Sequence, residues 1–254
     1  MFRGLDAIVL HQMRIRLREP IAVFFDIFWA PLMLLLFGTI FKAGADSGMP
    51  GFRNVDFMIP QLILLPIIVI GFFDFTPVVA QERESGFLRR LQVTPMRPLV
   101  YLLGLAVAAV IVTLLSVALT LVLGKILFGL SLHGSIGEVL WAFLLDLLVI
   151  YPTAFLLASI SSTSSMARAL GFIIGFPMMF LSGVAGVPLD LFPEGLLKVA
   201  NWLPSTVGVK LTTAAWLGQD MAALRWETIY GVLFGLACII LSTRFFRWEN
   251  QVSK

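Results

Sequence analysis

The chain has 254 residues, of which 59% are hydrophobic and 13% charged, and it carries a formal net charge of +3. A soluble domain typically has nearly twice this share of charged residues, so the composition excludes an ordinary soluble protein. The apolar residues form blocks of about 20, the length of a helix that crosses roughly 30 Å of hydrocarbon. The sequence therefore predicts an all-α integral membrane protein with six transmembrane helices in a single transmembrane domain, residues 1–254. The basic excess is typical of membrane topology and does not indicate nucleic-acid binding.

Residues 1–19 precede the first apolar block and mix apolar side chains with four arginines: Arg3, Arg14, Arg16 and Arg18. This mixture predicts an N-terminal interfacial helix whose arginines reach anionic membrane lipids, with a soluble tail as the alternative. The apolar block that follows is too long for the h-region of a secretory signal peptide, so we expect no cleavage there.

We predict membrane spans at residues 21–41, 57–80, 99–123, 139–160, 169–187 and 228–243. Three prolines in the second span predict kinks, because proline removes a backbone hydrogen-bond donor. The fifth span contains glycines at spacings that allow close helix packing; these are Gly171, Gly175, Gly183 and Gly186.

Residues 188–225, between spans five and six, are semi-apolar and interrupted by prolines. Their helical pieces, 195–203 and 205–217, are too short to cross a bilayer, so we predict short outer re-entrant or interfacial helices. Trp202 and Trp216 are predicted to lie at the headgroup boundary.

The distribution of basic residues predicts the orientation. Twelve of the 18 lysines and arginines fall on the side of the N-terminus, which the positive-inside rule assigns to the cytosol. We therefore expect a multi-pass protein of the inner (plasma) membrane with both termini cytosolic. Residues 81–98 are then cytosolic, and residues 188–225 are extracellular.

The sequence has no phosphate-binding G-x-x-x-x-G-K-[ST] motif and no G-x-S-x-G nucleophile motif. Its one cysteine and two histidines lack companions at metal-ligand spacing. We therefore expect no catalytic residue, no metal and no cofactor bound by this chain.

Three acidic residues fall inside predicted spans: Asp26, Asp74 and Asp146. A carboxylate at the centre of a membrane helix costs about 2.5–3.5 kcal/mol on insertion scales, so each should face protein or water. Two interpretations stay open. The aspartates are buried structural groups, or they form an ion or proton relay, in which case the chain is an ion- or proton-coupled secondary transporter.

The polar segment 81–98, QERESGFLRRLQVTPMRP, stands out between two apolar blocks. If it is helical from Glu84 onwards, Phe87 and Leu91 share one face, with Glu82 and Glu84 as an acidic shoulder. Such a helix fits a groove on a cytosolic partner. The alternative is that its arginines only enforce the topology.

This segment resembles the cytosolic segment of ABC-2 type transporter permeases, in which E-R-E-x-G-T-L precedes T-P and the third span. The matching residues are Glu82, Arg83, Glu84, Gly86, Leu88, Leu91, Thr94 and Pro95, and Phe87 stands where threonine is more usual. Residues 177–204 also resemble the fifth span and outer segment of that family.

The resemblance implies a single ABC-2 type transmembrane domain, the membrane half of an ATP-binding cassette exporter. A separate ATPase subunit would bind ATP and Mg²⁺, and a second permease copy would complete a homodimer in a 2+2 complex surrounded by lipid. The E-R-E-S-G form is similar to drug, antibiotic and lipid exporters, including those of multidrug resistance. The substrate route would run along the dimer interface, with spans two and five among its walls. The implied contact with the ATPase comprises Glu82, Arg83, Glu84, Ser85, Gly86, Phe87, Leu88, Arg89, Arg90, Leu91, Thr94 and Pro95.

Overall fold

The computed structural model describes residues 5–88, 98–186 and 192–246. Within these ranges the regular structure is helical, apart from one isolated β-bridge between Asp46 and Arg53. The predicted all-α fold is therefore confirmed.

Among the described residues, six helices are long and apolar enough to cross a membrane. We number them as spans one to six, and they follow an N-terminal helix, Leu5–Leu17. The spans are Pro20–Ile40, Asn54–Glu84, Pro98–Phe128, Ile136–Ile160, Ser164–Leu181 and Arg225–Phe245, the last continuing a short 3₁₀ turn, Met221–Leu224. These helices make the chain a multi-pass membrane protein, as the sequence predicts.

Two predicted boundaries are wrong for identifiable reasons. Span five ends at Leu181 and not at residue 187, because Gly183 and Gly186 adopt φ angles of 78° and turn the chain. Span six is longer than its charge-free stretch, since Arg225 and Arg244 are included in the helix and lie at its two ends, where a long basic side chain reaches the polar boundary.

Span two changes its helical register midway. An α-helix, Asn54–Ile68, passes into a π-helix, Val69–Phe75, and then into a second α-helix, Thr76–Glu84. The amide of Thr76 donates to the carbonyl of Gly71, five residues back, and Pro77 has no amide to donate. The predicted disturbance by proline thus takes the form of a π-helix.

Glycines of span five pack against this irregular part of span two. A Cβ on Gly171 would meet the carbonyl oxygen of Phe72, and one on Gly175 would come within 2.8 Å of the side chains of Phe72 and Phe73. The prediction that Gly171 and Gly175 allow close packing is therefore confirmed.

Spans two and four form the buried centre of the bundle, and the other spans are more exposed. Span three packs against span one and the N-terminal helix, and span six packs along span four. The last helix of span two, Thr76–Glu84, packs against spans four and five.

Between spans five and six, the described residues form two helices, Glu194–Ala200 and Pro204–Leu217. The second, which we call the outer helix, packs against spans two and four. Trp202 is 76% exposed, but Trp216 is only 5% exposed. The prediction of a headgroup-boundary position is therefore wrong for Trp216, because its helix lies inside the bundle.

Candidate functional site

The candidate site is the inner end of span two, where the motif Glu82-Arg83-Glu84 ends the helix. Ser85 and Gly86 then form a turn, with the amide of Gly86 donating to the carbonyl of Arg83 at 3.1 Å. Gly86 has a φ of 70°, a left-handed conformation that glycine adopts without the penalty of a Cβ. The turn means that a helix running unbroken from Glu84 is not formed; Phe87 and Leu88 begin a new helical stretch.

The second part of the predicted contact set falls outside the described residues. This applies to Arg89, Arg90, Leu91, Thr94 and Pro95. The predicted ridge of Phe87 and Leu91 is thus described only at Phe87, whose ring stacks on His11 of the N-terminal helix with centroids 5.0 Å apart.

Glu82 is buried and held by two helices. Its carboxylate accepts a hydrogen bond from Gln12 Nε2 of the N-terminal helix at 2.6 Å and another from the hydroxyl of Tyr101 in span three. Of the acidic shoulder predicted for Glu82 and Glu84, Glu82 is therefore the buried member, because a carboxylate with buried donors on both sides is most stable inside the bundle.

Arg83 is also buried, and it binds the end of span four. Its guanidinium donates to the carbonyls of Ala158 at 2.6 Å and Ser161 at 2.9 Å. The last carbonyls of a helix lack partners within the helix and carry partial negative charge. An arginine therefore stabilises them both by donating hydrogen bonds and by its positive charge.

Glu84 is exposed, and it binds the start of span five. Its carboxylate accepts a hydrogen bond from the amide of Ser164 at 3.0 Å. The first amides of a helix carry partial positive charge, so an acidic side chain is favoured there. Adjacent residues of the motif therefore connect span two to spans three, four and five and to the N-terminal helix.

Arg16 of the N-terminal helix lies between two of the intramembrane aspartates. Its guanidinium donates a hydrogen bond to Asp26 of span one at 2.7 Å and forms an ion pair with Asp74 of span two. The prediction that Arg16 reaches lipid is wrong, since its side chain is 11% exposed and engaged by these carboxylates.

Asp146 belongs to a different part of the bundle. It is buried in span four and accepts a hydrogen bond from Thr212 of the outer helix at 2.8 Å. No contact joins it to Asp26 or Asp74 within the described ranges. The arrangement therefore gives no support to a single relay through all three aspartates.

Sequence reasoning missed Gln12 and Tyr101 and assigned Arg16 to lipid. A usable signal was present, because Ile8, Gln12 and Arg16 recur every four residues and so share one helix face. That face is buried. Tyr101 lies near the start of span three, and this span has no charged residue before Lys125. Its hydroxyl is therefore one of the few polar groups at that end of the span.

Comparison with known proteins places these features in a family. The family model described as "ABC-2 family transporter protein" matches residues 46–244, which include spans two to five and nearly all of span six. Two curated relatives are both named "Probable multidrug ABC transporter permease YbhR", one from Escherichia coli strain K12 and one from Escherichia coli O157:H7. Each is 26% identical over 178 residues, covering 70% of this chain and 48% of the relative. The chain thus spans about half the length of the curated relatives it matches.

Proposed function

Because the chain belongs to the ABC-2 family of transporter proteins, we propose that it is the permease subunit of an ATP-driven exporter. The multidrug names of its relatives support a drug-like, antibiotic or lipid cargo. ATP and Mg²⁺ bind a separate ATPase subunit, which performs the hydrolysis, and a second copy of this chain completes a homodimeric membrane part. The protein resides in the inner membrane with both termini in the cytosol.

The observation that carries this proposal is the set of bonds made by Glu82, Arg83 and Glu84. A force applied to the inner end of span two reaches three other spans and the N-terminal helix through direct hydrogen bonds. Packed and hydrogen-bonded elements transmit displacement because interiors are close to incompressible. The motif is therefore placed to distribute motion from a cytosolic partner.

We propose that the motif has a contact part and a transmission part. Gln81, Glu84 and Ser85 are exposed and available to the ATPase subunit, together with the predicted contacts at residues 89–95. Glu82 and Arg83 are buried, and their role is to pass the movement on to neighbouring helices.

The proposed cargo route begins at a cavity of about 500 Å³ between spans one, two and five. The cavity has both aromatic and charged walls, which suits amphipathic molecules that carry a polar group. Lining residues include Phe25, Phe73, Phe172, Asp26, Asp74 and Arg168.

Co-purification with the ATP-binding protein encoded beside the gene tests the proposal. Glu84→Arg is expected to abolish the complex and its ATPase activity, because it reverses an exposed charge at the contact. Glu194→Arg is the matched control, since Glu194 is exposed in the outer segment. Glu82→Gln is expected to keep the complex but lower transport per ATP hydrolysed. An unchanged complex in Glu84→Arg would refute the contact.

A further inference from the structure

A groove of about 310 Å³ lies between spans three, four and six. Its floor is formed by buried side chains of span four, Leu147, Tyr151, Pro152 and Phe155. Span four packs closely on span six, but its contact with span three is sparse, and the groove occupies the space that this leaves. Leu103 and Leu144 at the rim are exposed, so the groove opens on the outer surface of the bundle.

The length of the groove along the helix axes matches the thickness of one leaflet of a bilayer. Its lining extends from Leu102 to Val110 on span three, about 12 Å at 1.5 Å per residue, and from Leu144 to Phe155 on span four, about 16 Å. A leaflet contributes half of the roughly 30 Å hydrocarbon core. The groove begins at the membrane face that carries the N-terminal helix and ends near the bilayer centre.

The lining is mostly apolar, and its hydroxyl groups already have partners within the protein. The hydroxyl of Tyr151 is bonded to Thr113 at 2.6 Å, and those of Ser242 and Thr243 each donate to the carbonyl of Ile239. Apolar cavities of about 150 Å³ stay dry and accept hydrocarbons such as benzene, and this groove has about twice that volume. Its contents are therefore expected to be hydrocarbon.

The mouth of the groove differs from its interior. Ser242 and Thr243 lie there, in the last turns of span six. We propose that the groove is a resident lipid site, which takes one acyl chain of a phospholipid from the leaflet that contains the N-terminal helix. The site is distinct from the proposed cargo cavity, which spans one, two and five form.

Photolabelling tests this site in the purified full-length protein. The probe is phosphatidylglycerol with a diazirine midway along one acyl chain, in vesicles of phosphatidylethanolamine and phosphatidylglycerol, with labelled residues mapped by mass spectrometry. Label is expected to concentrate at residues 102–110, 144–155 and 239–243. A uniform label over all lipid-facing helices would overturn the proposal, as would a groove left unlabelled because a second copy of the chain covers it.

Two alanines of span three provide a matched pair. Ala106 lines the groove, whereas Ala118 is exposed elsewhere on the same helix. Ala106→Phe is expected to remove the concentrated label and Ala118→Phe to retain it. If Ala106→Phe does not fold, Val110→Phe fills the same groove; a label unchanged by the filling variant overturns the proposal.

Discussion

Removing the charge of Arg16 tests whether the N-terminal helix is anchored by ion pairs. The side chains of Arg16, Asp26 and Asp74 are 11%, 5% and 21% exposed, so the cluster is largely withdrawn from solvent. Removing one partner from a buried ion pair typically costs about 3–5 kcal/mol, because the remaining charge is left uncompensated. Arg16→Gln leaves two such carboxylates, of which Asp74 regains some solvation. We therefore expect a loss near 3 kcal/mol in the free energy of unfolding.

The measurement is a denaturing-detergent titration of the purified protein, followed by helical circular dichroism. Arg14→Gln is the control, because Arg14 is exposed on the same helix. Adding Asp26→Asn and Asp74→Asn to Arg16→Gln is expected to restore most of the stability, since a fully neutral cluster leaves no uncompensated charge. The reasoning is refuted if Arg16→Gln matches Arg14→Gln, or if the neutral triple variant is no more stable than Arg16→Gln.

Three further predictions concern other parts of the bundle. Gly86→Ala should destabilise the turn by about 1–2 kcal/mol, because alanine disfavours a φ of 70°, whereas Gly86→Asn should cost less; a thermal unfolding series compares them, and equal losses would contradict the strain argument. Thr212→Val should cost about 1–3 kcal/mol by removing the donor to Asp146 and should speed hydrogen exchange across the outer helix. Thr213→Val, at a less buried neighbour, is its control, and similar exchange rates in the two variants would contradict the assignment. A double-mutant cycle of Tyr101→Phe and Glu82→Gln should give a coupling free energy of similar size between the two side chains. Additive effects of the two substitutions on the free energy of unfolding would refute that bond.

The sequence predicted those helices that a local run of apolar residues is enough to identify. Six spans and the helices between spans five and six follow from runs of apolar residues and from local breakers. The glycines of span five were likewise interpreted correctly at Gly171 and Gly175, because the absence of a side chain has the same consequence in any close helix pair.

The partners of polar side chains were not predictable in the same way. Glu82 and Arg83 look like surface residues in a charged segment, yet each is buried against a helix distant in sequence. Which helix supplies Tyr101 or the carbonyl of Ala158 depends on the packing arrangement, and a single sequence does not record that arrangement. The inward face of the N-terminal helix was not predicted for a related reason. Buried helix faces are usually identified by apolar residues, and this face also contains Gln12 and Arg16.

The π-helix of span two has a geometric consequence for the motif that follows it. A π turn accommodates one residue more than an α turn, and one residue corresponds to about 100° of rotation in an α-helix. The azimuth of Glu82, Arg83 and Glu84 is therefore set by Val69–Phe75. Shortening that stretch by one residue would rotate the three side chains together, away from Tyr101, Ala158 and Ser164. The widened turn therefore sets the rotation of the last helical part of span two, and its contacts, relative to the first part of the span.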